Sequence, residues 1–183
     1  WTHYTVTKSG ADVAVYLNGV LVYTGTGAGN TASVLPWHVM KNGATSGYIT
    51  GEVDDLRIYS RTLSATEVLA LYRTGKTFQK IATRSGLVGE WKFDEGTSTS
   101  AHDSSGFANA ATLVNSPSWV PGKHAKAVRL DGNTQYVSIP DSAALNNGSM
   151  TASTWFTLTS EIDCDAVNNY RMLLNKNTGA AGW

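Results

Sequence analysis

Val13-Ala-Val-Tyr-Leu-Asn-Gly-Val-Leu-Val-Tyr23 is the stretch on which the fold turns. Apolar residues alternate on both sides of Asn18-Gly19, the dipeptide that supplies the two positive-φ positions of a type I′ hairpin. Val13, Val15 and Leu17 then share one face. The same two-residue period recurs in Leu87-Val-Gly-Glu-Trp-Lys-Phe93, in residues 127–130, 135–139, 151–158 and 171–174, and in Gly51-Glu-Val-Asp-Asp-Leu-Arg-Ile-Tyr59. Gly, Asn, Asp and Pro separate these runs at spacings typical of a sandwich, so the chain reads as all-β. Pro117, Pro121 and Pro140 sit outside the runs, as ladder hydrogen bonding demands. In the run 51–59, strict alternation puts Asp54 on the face of Leu56 and Ile58, and Asp55 and Arg57 with Val53 and Tyr59. One helix is predicted: Ser64 and Glu67 form a capping box, Val68, Leu71 and Tyr72 follow at helical spacing, and Gly75 is the stop.

Composition narrows the function classes. Fourteen Lys and Arg balance fourteen Asp and Glu, with no basic run, which argues against nucleic acid or an anionic membrane as the principal partner. No apolar stretch approaches the roughly 20 residues that span a bilayer, so no membrane insertion is expected. The lone Cys164 cannot form an internal disulfide. The chain opens at Trp1 without an initiator Met or leader, so it reads as a portion of something longer. No Gly-x-Ser-x-Gly, phosphate loop or dinucleotide fingerprint is present. His3, His38, His102 and His124 lack metal-ligand spacing, and Asn147-Gly-Ser149 is a sequon without a context that gives it meaning.

Several ordered motifs carry a family resemblance. Leu87-Val-Gly-Glu-Trp-Lys-Phe-Asp-Glu-Gly96, Asp103-Ser-Ser-Gly106, Trp119-Val-Pro-Gly-Lys123, Ala127-Val-Arg-Leu-Asp-Gly132 and Met150-Thr-Ala-Ser-Thr-Trp155 resemble the first half of a bacterial laminin-G-like, concanavalin-A-like domain. Trp1-Thr-His-Tyr-Thr-Val-Thr7, Val15-Tyr-Leu-Asn-Gly19 and Gly51-Glu-Val-Asp-Asp-Leu-Arg-Ile-Tyr-Ser-Arg-Thr-Leu-Ser64 resemble its second half. The halves stand in reversed order: residues 1–81 as the second half, 82–86 as a connector and 87–183 as the first half. A tandem array cut between domains and a circular permutant both explain that order. Two open half-sandwiches would expose long edges and half a core, so the segments are expected to complete a sandwich together, within or between chains.

The resemblance also implies sites. It implies a concanavalin-A-like jelly-roll sandwich with a structural calcium ion held by Asp103, Asn109 and Asp54, since calcium takes six to eight hard oxygens. The alternative at the same residues is an Asx-turn beside a buried, hydrogen-bonded Asp54. Glu161-Ile-Asp-Cys-Asp165 resembles, with a substitution, the acidic strand of retaining glucanases, with Glu161 and Asp165 as the carboxyl pair and Asp163 between them. A solvated acidic loop is the other reading. Trp91, Phe93, Trp155 and Tyr16 lie in strand patterns and read as core, whereas Trp37, His38, Tyr48 and Trp119 lie in loop-like sequence and are the candidates for stacking on a sugar. The expected function is a non-enzymatic carbohydrate-binding or adhesion module, extracellular or at the cell surface, whose partner is a glycan or surface polysaccharide. The competing classes are a self-assembling fibre subunit that binds further copies of itself, and a glycoside hydrolase.

Overall fold

The computed structural model describes residues 1–26, 34–42, 47–74, 84–159 and 173–176. In chain order its strands are β1 (Thr2–Ser9), β2 (Asp12–Leu17), β3 (Val20–Gly25), β4 (Trp37–Val39), β5 (Thr50–Tyr59), β6 (Leu87–Trp91) and β7 (Ser100–Ala101). They continue as β8 (Ala111–Val114), β9 (Ser118–Pro121), β10 (Lys126–Asp131), β11 (Tyr136–Ile139), β12 (Ser149–Leu158) and β13 (Leu174–Asn175), and the helix α1 spans Ala65–Thr74. The larger sheet runs β3-β2-β1-β12-β5-β10-β9, with β6 also on β5; the smaller runs β13-β4-β11-β8-β7. All pairings are antiparallel, and the fold is a concanavalin-A-like sandwich.

Strands from the two ends of the chain interleave in both sheets. β1 pairs with β12 from Thr2 opposite Phe156 to Ser9 opposite Ser149. β12 lies along one edge of β5, while β10 and then β6 follow one another along its other edge. In the smaller sheet β4 sits between β11 and β13. Each segment therefore satisfies backbone groups and covers apolar faces of the other.

The main core lies between the sheets. Val6, Val53, Leu56, Ile58, Val128, Leu130 and Ala152 come from the larger sheet, and Trp37, Val39, Leu113, Val137, Ile139 and Leu174 from the smaller. A second cluster packs α1 onto the outer face of the larger sheet through Leu63, Val68 and Leu71 against Tyr16, Tyr59 and Leu87. The helix begins as its sequence dictates: Ser64 N–H donates to Glu67 Oε2 at 2.9 Å, and Arg61 grips the Glu67 carboxylate through both terminal nitrogens. Asn18 and Gly19 have φ of 52° and 78°, as a type I′ turn requires. A Cβ on Gly19 would come within 2.9 Å of Leu69 Cδ1, so the hairpin tip lies directly on α1.

Alternation fails at one place in β5, and the failure moves Asp54. Asp55 has φ of 50°, and the register with β12 shifts between Ser153 and Trp155. This bulge inserts one residue and reverses side-chain parity beyond it. Val53 consequently shares the core with Leu56 and Ile58, and Asp54 does not lie on their face as strict alternation predicts. Trp37 and Trp119 are also strand residues, on β4 and β9, not loop residues. Pro121 closes β9, where an edge strand tolerates it.

Candidate functional site

Cross-strand register lays a polar row across the outward face of the smaller sheet. Asn175 stands opposite His38, His38 opposite Ser138, Ser138 opposite Thr112, and Thr112 opposite Ser100. Alongside it, Leu174, Val39, Val137 and Leu113 form an apolar row facing the core. Five strands at about 4.8 Å give the polar row a span of about 19 Å. Thr112 and Ser100 are exposed, His38 and Ser138 half-buried, and Asn175 covered.

Aromatic rings flank the row on one side. Tyr136 lies edge-on to His38 with centroids 5.1 Å apart, and Tyr48 is 6.2 Å from Tyr136. Lys41 joins them, its Nζ 4.1 Å from the Tyr136 centroid and 5.6 Å from that of Tyr48. A second break in alternation places Lys41 here. Met40 has φ of 62° and is buried in the core beside Val39, so the residue after it returns to the side of His38. Lys41 then bridges to Tyr48, with Asn42 N–H donating to Gly47 O at 3.1 Å. Burial, with the Lys41 charge adding to it, holds the His38 imidazole down at about 4. His38 is therefore neutral at pH 7, with one donor and one acceptor nitrogen.

Of the four residues expected to contact a sugar, His38 and Tyr48 meet on this face and Trp37 and Trp119 do not. Trp37 is 1% exposed and packs inside the sandwich, so it has no open ring face. Trp119 is half-buried against the core on the far edge of the larger sheet, its Nε1 donating to Ser98 O at 3.0 Å. Tyr136 and Lys41 complete the constellation and are not singled out by the sequence motifs. Tyr136 carries a readable signal, because it alternates with the apolar Val137 and Ile139. Lys41 carries none, since its placement depends on the backbone conformation of Met40.

The residues expected to hold calcium do not converge. Asp103 Oδ1 accepts the N–H groups of Glu90 and Ser105, and Oδ2 that of Asn109, each at 2.9 Å. The Asn109 amide donates to Val88 O, while its own carbonyl accepts Trp91 Nε1 at 2.8 Å. Asp54 faces another turn, its Oδ2 accepting His124 N–H at 2.8 Å and its Oδ1 buried without a partner among the described residues. Burial pushes that carboxyl up to about 8, with the charges of Asp55 and Asp94 adding to the shift. Among the described residues no group of three or more His, Cys, Asp or Glu is arranged to hold a metal ion. Asp103 and Asn109 build one turn and Asp54 hydrogen-bonds another at His124, so the three residues do not share one cradle. Melting midpoints in calcium and in chelator are therefore expected to coincide; a calcium-dependent rise of several degrees would restore the metal reading.

A Ser–His pair lies on the larger sheet, where Ser153 Oγ is 2.9 Å from His3 Nε2. His3 Nδ1 has no hydrogen-bond partner among the described residues, so the group that would orient a general base is missing there, and both residues are buried. The acidic run Glu161, Asp163 and Asp165, with Cys164, lies outside the described residues.

Comparison with known families agrees with the architecture. Residues 1–69 match the laminin G family model described as the concanavalin A-like lectin/glucanases superfamily. The match covers the first 69 of 183 residues, and over that span the chain is similar to this superfamily. The matched residues include β1 to β5 and the first turn of α1, and so contribute His38, Lys41 and Tyr48 to the aromatic face. Neither curated proteins nor solved structures give a match. No helix among the described residues is long and apolar enough to cross a membrane.

Proposed function

We propose that this chain is a non-catalytic carbohydrate-binding or adhesion module of an extracellular or surface protein, and that it binds glycan along the outward face of its smaller sheet. The observation that carries the reading is the polar row from Asn175 to Ser100 with Tyr136 and Tyr48 beside it. A saccharide presents hydroxyls at its rim and C–H groups on its ring faces. Short uncharged polar side chains suit the first and tyrosine rings the second. No step of this function requires a cofactor.

The test is a broad glycan array followed by calorimetry on the best ligand. Tyr136→Ala should weaken binding about five- to tenfold, the equivalent of about 1 kcal/mol for one ring contact, while Trp119→Ala should leave affinity unchanged. Equal affinity of Tyr136→Ala and the native protein for a bound glycan would reject this face as the site.

One observation favours self-association as a second reading. β3 ends the larger sheet, and Val20, Leu21, Val22 and Tyr23 are each 50% to 63% exposed. No charged residue occurs from Val13 to Thr26, and Lys or Pro on an edge is the usual guard against strand addition. A silent array together with concentration-dependent growth in light scattering would favour this reading.

A further inference from the structure

We propose that Lys41 makes this face selective for acidic sugars, meaning pyranose rings that carry a carboxylate or a sulfate ester. The inference rests on the reading of that face as the ligand site and adds the charge class of the ligand.

Three lysines are buried among the described residues, and two of them are satisfied by oxygen. Lys8 Nζ donates to the carbonyls of Gly10 and Gly148. Lys176 Nζ donates to Asp141 Oδ1, Leu145 O and Asn146 Oδ1. Lys41, 6% exposed, makes no ion pair and no side-chain hydrogen bond among the described residues. Its ammonium rests against the rings of Tyr136 and Tyr48. The Nζ tip itself still meets solvent, so the two rings cover part of the ammonium and leave one side open to a ligand.

Among the described residues nothing nearby offsets the charge. No carboxylate there acts on Lys41 or on His38; burial depresses the Lys41 ammonium, and His38 feels Lys41 as a repulsive positive charge. Arg57, by contrast, is half-buried and paired with Glu90 at 3.0 Å. A partly desolvated cation beside the polar row, against two rings, is complementary to an anionic substituent on a bound sugar. Such a group would bring acceptor oxygens to the ammonium and form charge-assisted hydrogen bonds. A neutral sugar offers only hydroxyls, which bind the cation more weakly.

The experiment compares a neutral oligosaccharide, its uronic-acid counterpart and its sulfated counterpart by calorimetry, at low and at physiological salt. At least one acidic ligand should bind about tenfold or more tightly than the neutral one, with the advantage shrinking as salt rises. The two acidic arms separate carboxylate from sulfate. Lys41→Met and Lys41→Gln should bring the acidic-to-neutral affinity ratio close to one, whereas Lys92→Met, at an exposed lysine, should keep it. Both Lys41 variants should melt close to the native protein, because the ammonium makes no ion pair or side-chain hydrogen bond among the described residues and its removal leaves no partner behind. Neutral and acidic sugars bound equally by the native protein, or a preference that survives Lys41→Met, overturns the charge assignment and leaves the carbohydrate reading standing. Failure of all three ligands to bind overturns both.

Discussion

Stability is expected to peak near pH 6.5 and to fall by about 2 kcal/mol by pH 8, and Asp54→Asn should remove most of that alkaline loss. Asp54 has no exposed surface, and burial raises its carboxyl from 3.8 in the unfolded chain to about 8 in the fold. Between those values the native state holds a proton that the unfolded chain has released, so stability falls as pH rises. His3 and His38 act on the other side. Burial lowers each from 6.5 to about 4, assisted by the charges of Arg57 and Lys41 respectively. Below 6.5 the unfolded chain takes up two protons that the native state refuses, which outweighs the single opposing proton at Asp54. Unfolding free energies at about pH 5, pH 6.5 and pH 8 in chelating buffer would check this. The Asp54→Asn protein should lose most of the decline above about pH 6.5, Asp55, whose carboxyl burial also raises, accounting for any remainder; an unchanged alkaline slope in that variant would assign the effect to another group.

Trp37→Ala should cost about 3 to 5 kcal/mol, a large share of the roughly 5 to 15 kcal/mol that holds a typical domain together. The ring is buried between the sheets, and removing it opens a cavity beside Val6, Met150 and Leu174. Trp37→Phe should cost far less than the alanine change. The indole Nε1–H is buried without an acceptor among the described residues, so phenylalanine gives up no hydrogen bond there and keeps most of the apolar contact. Denaturant midpoints of the two variants provide the measurement. A Trp37→Ala protein of native stability that has lost glycan binding would return Trp37 to the ligand site.

Legibility in the sequence follows the regularity of the backbone. The Asn18-Gly19 hairpin, the Ser64–Glu67 capping box and the cores of β5, β10, β11 and β12 are local patterns, and the structure reproduces them. β4 and β9 escape notice because three or four residues around Trp37 or Trp119 are too short for alternation to stand out. The faces of Asp54 and Lys41 are out of reach for a different reason. Each depends on one positive-φ residue, Asp55 or Met40, that reverses parity; Met gives no sign of that conformation, and the enrichment of Asp in it is too weak to place a bulge within a strand run. His38 and Tyr48 are legible as candidates from their surroundings. Their convergence with Tyr136 is a matter of long-range register, which a single sequence does not encode locally.

The central claim, that the smaller sheet presents the ligand site, is tested most directly by mapping amide and side-chain NMR shifts while a glycan identified on the array is titrated in. Saturable shifts are expected at His38, Lys41, Tyr48, Thr112, Tyr136 and Ser138, with α1 and the β2–β3 hairpin unaffected. Saturable shifts confined to α1, to the exposed edge of β3 or to the turn at Asp103, with the polar row silent, would contradict it.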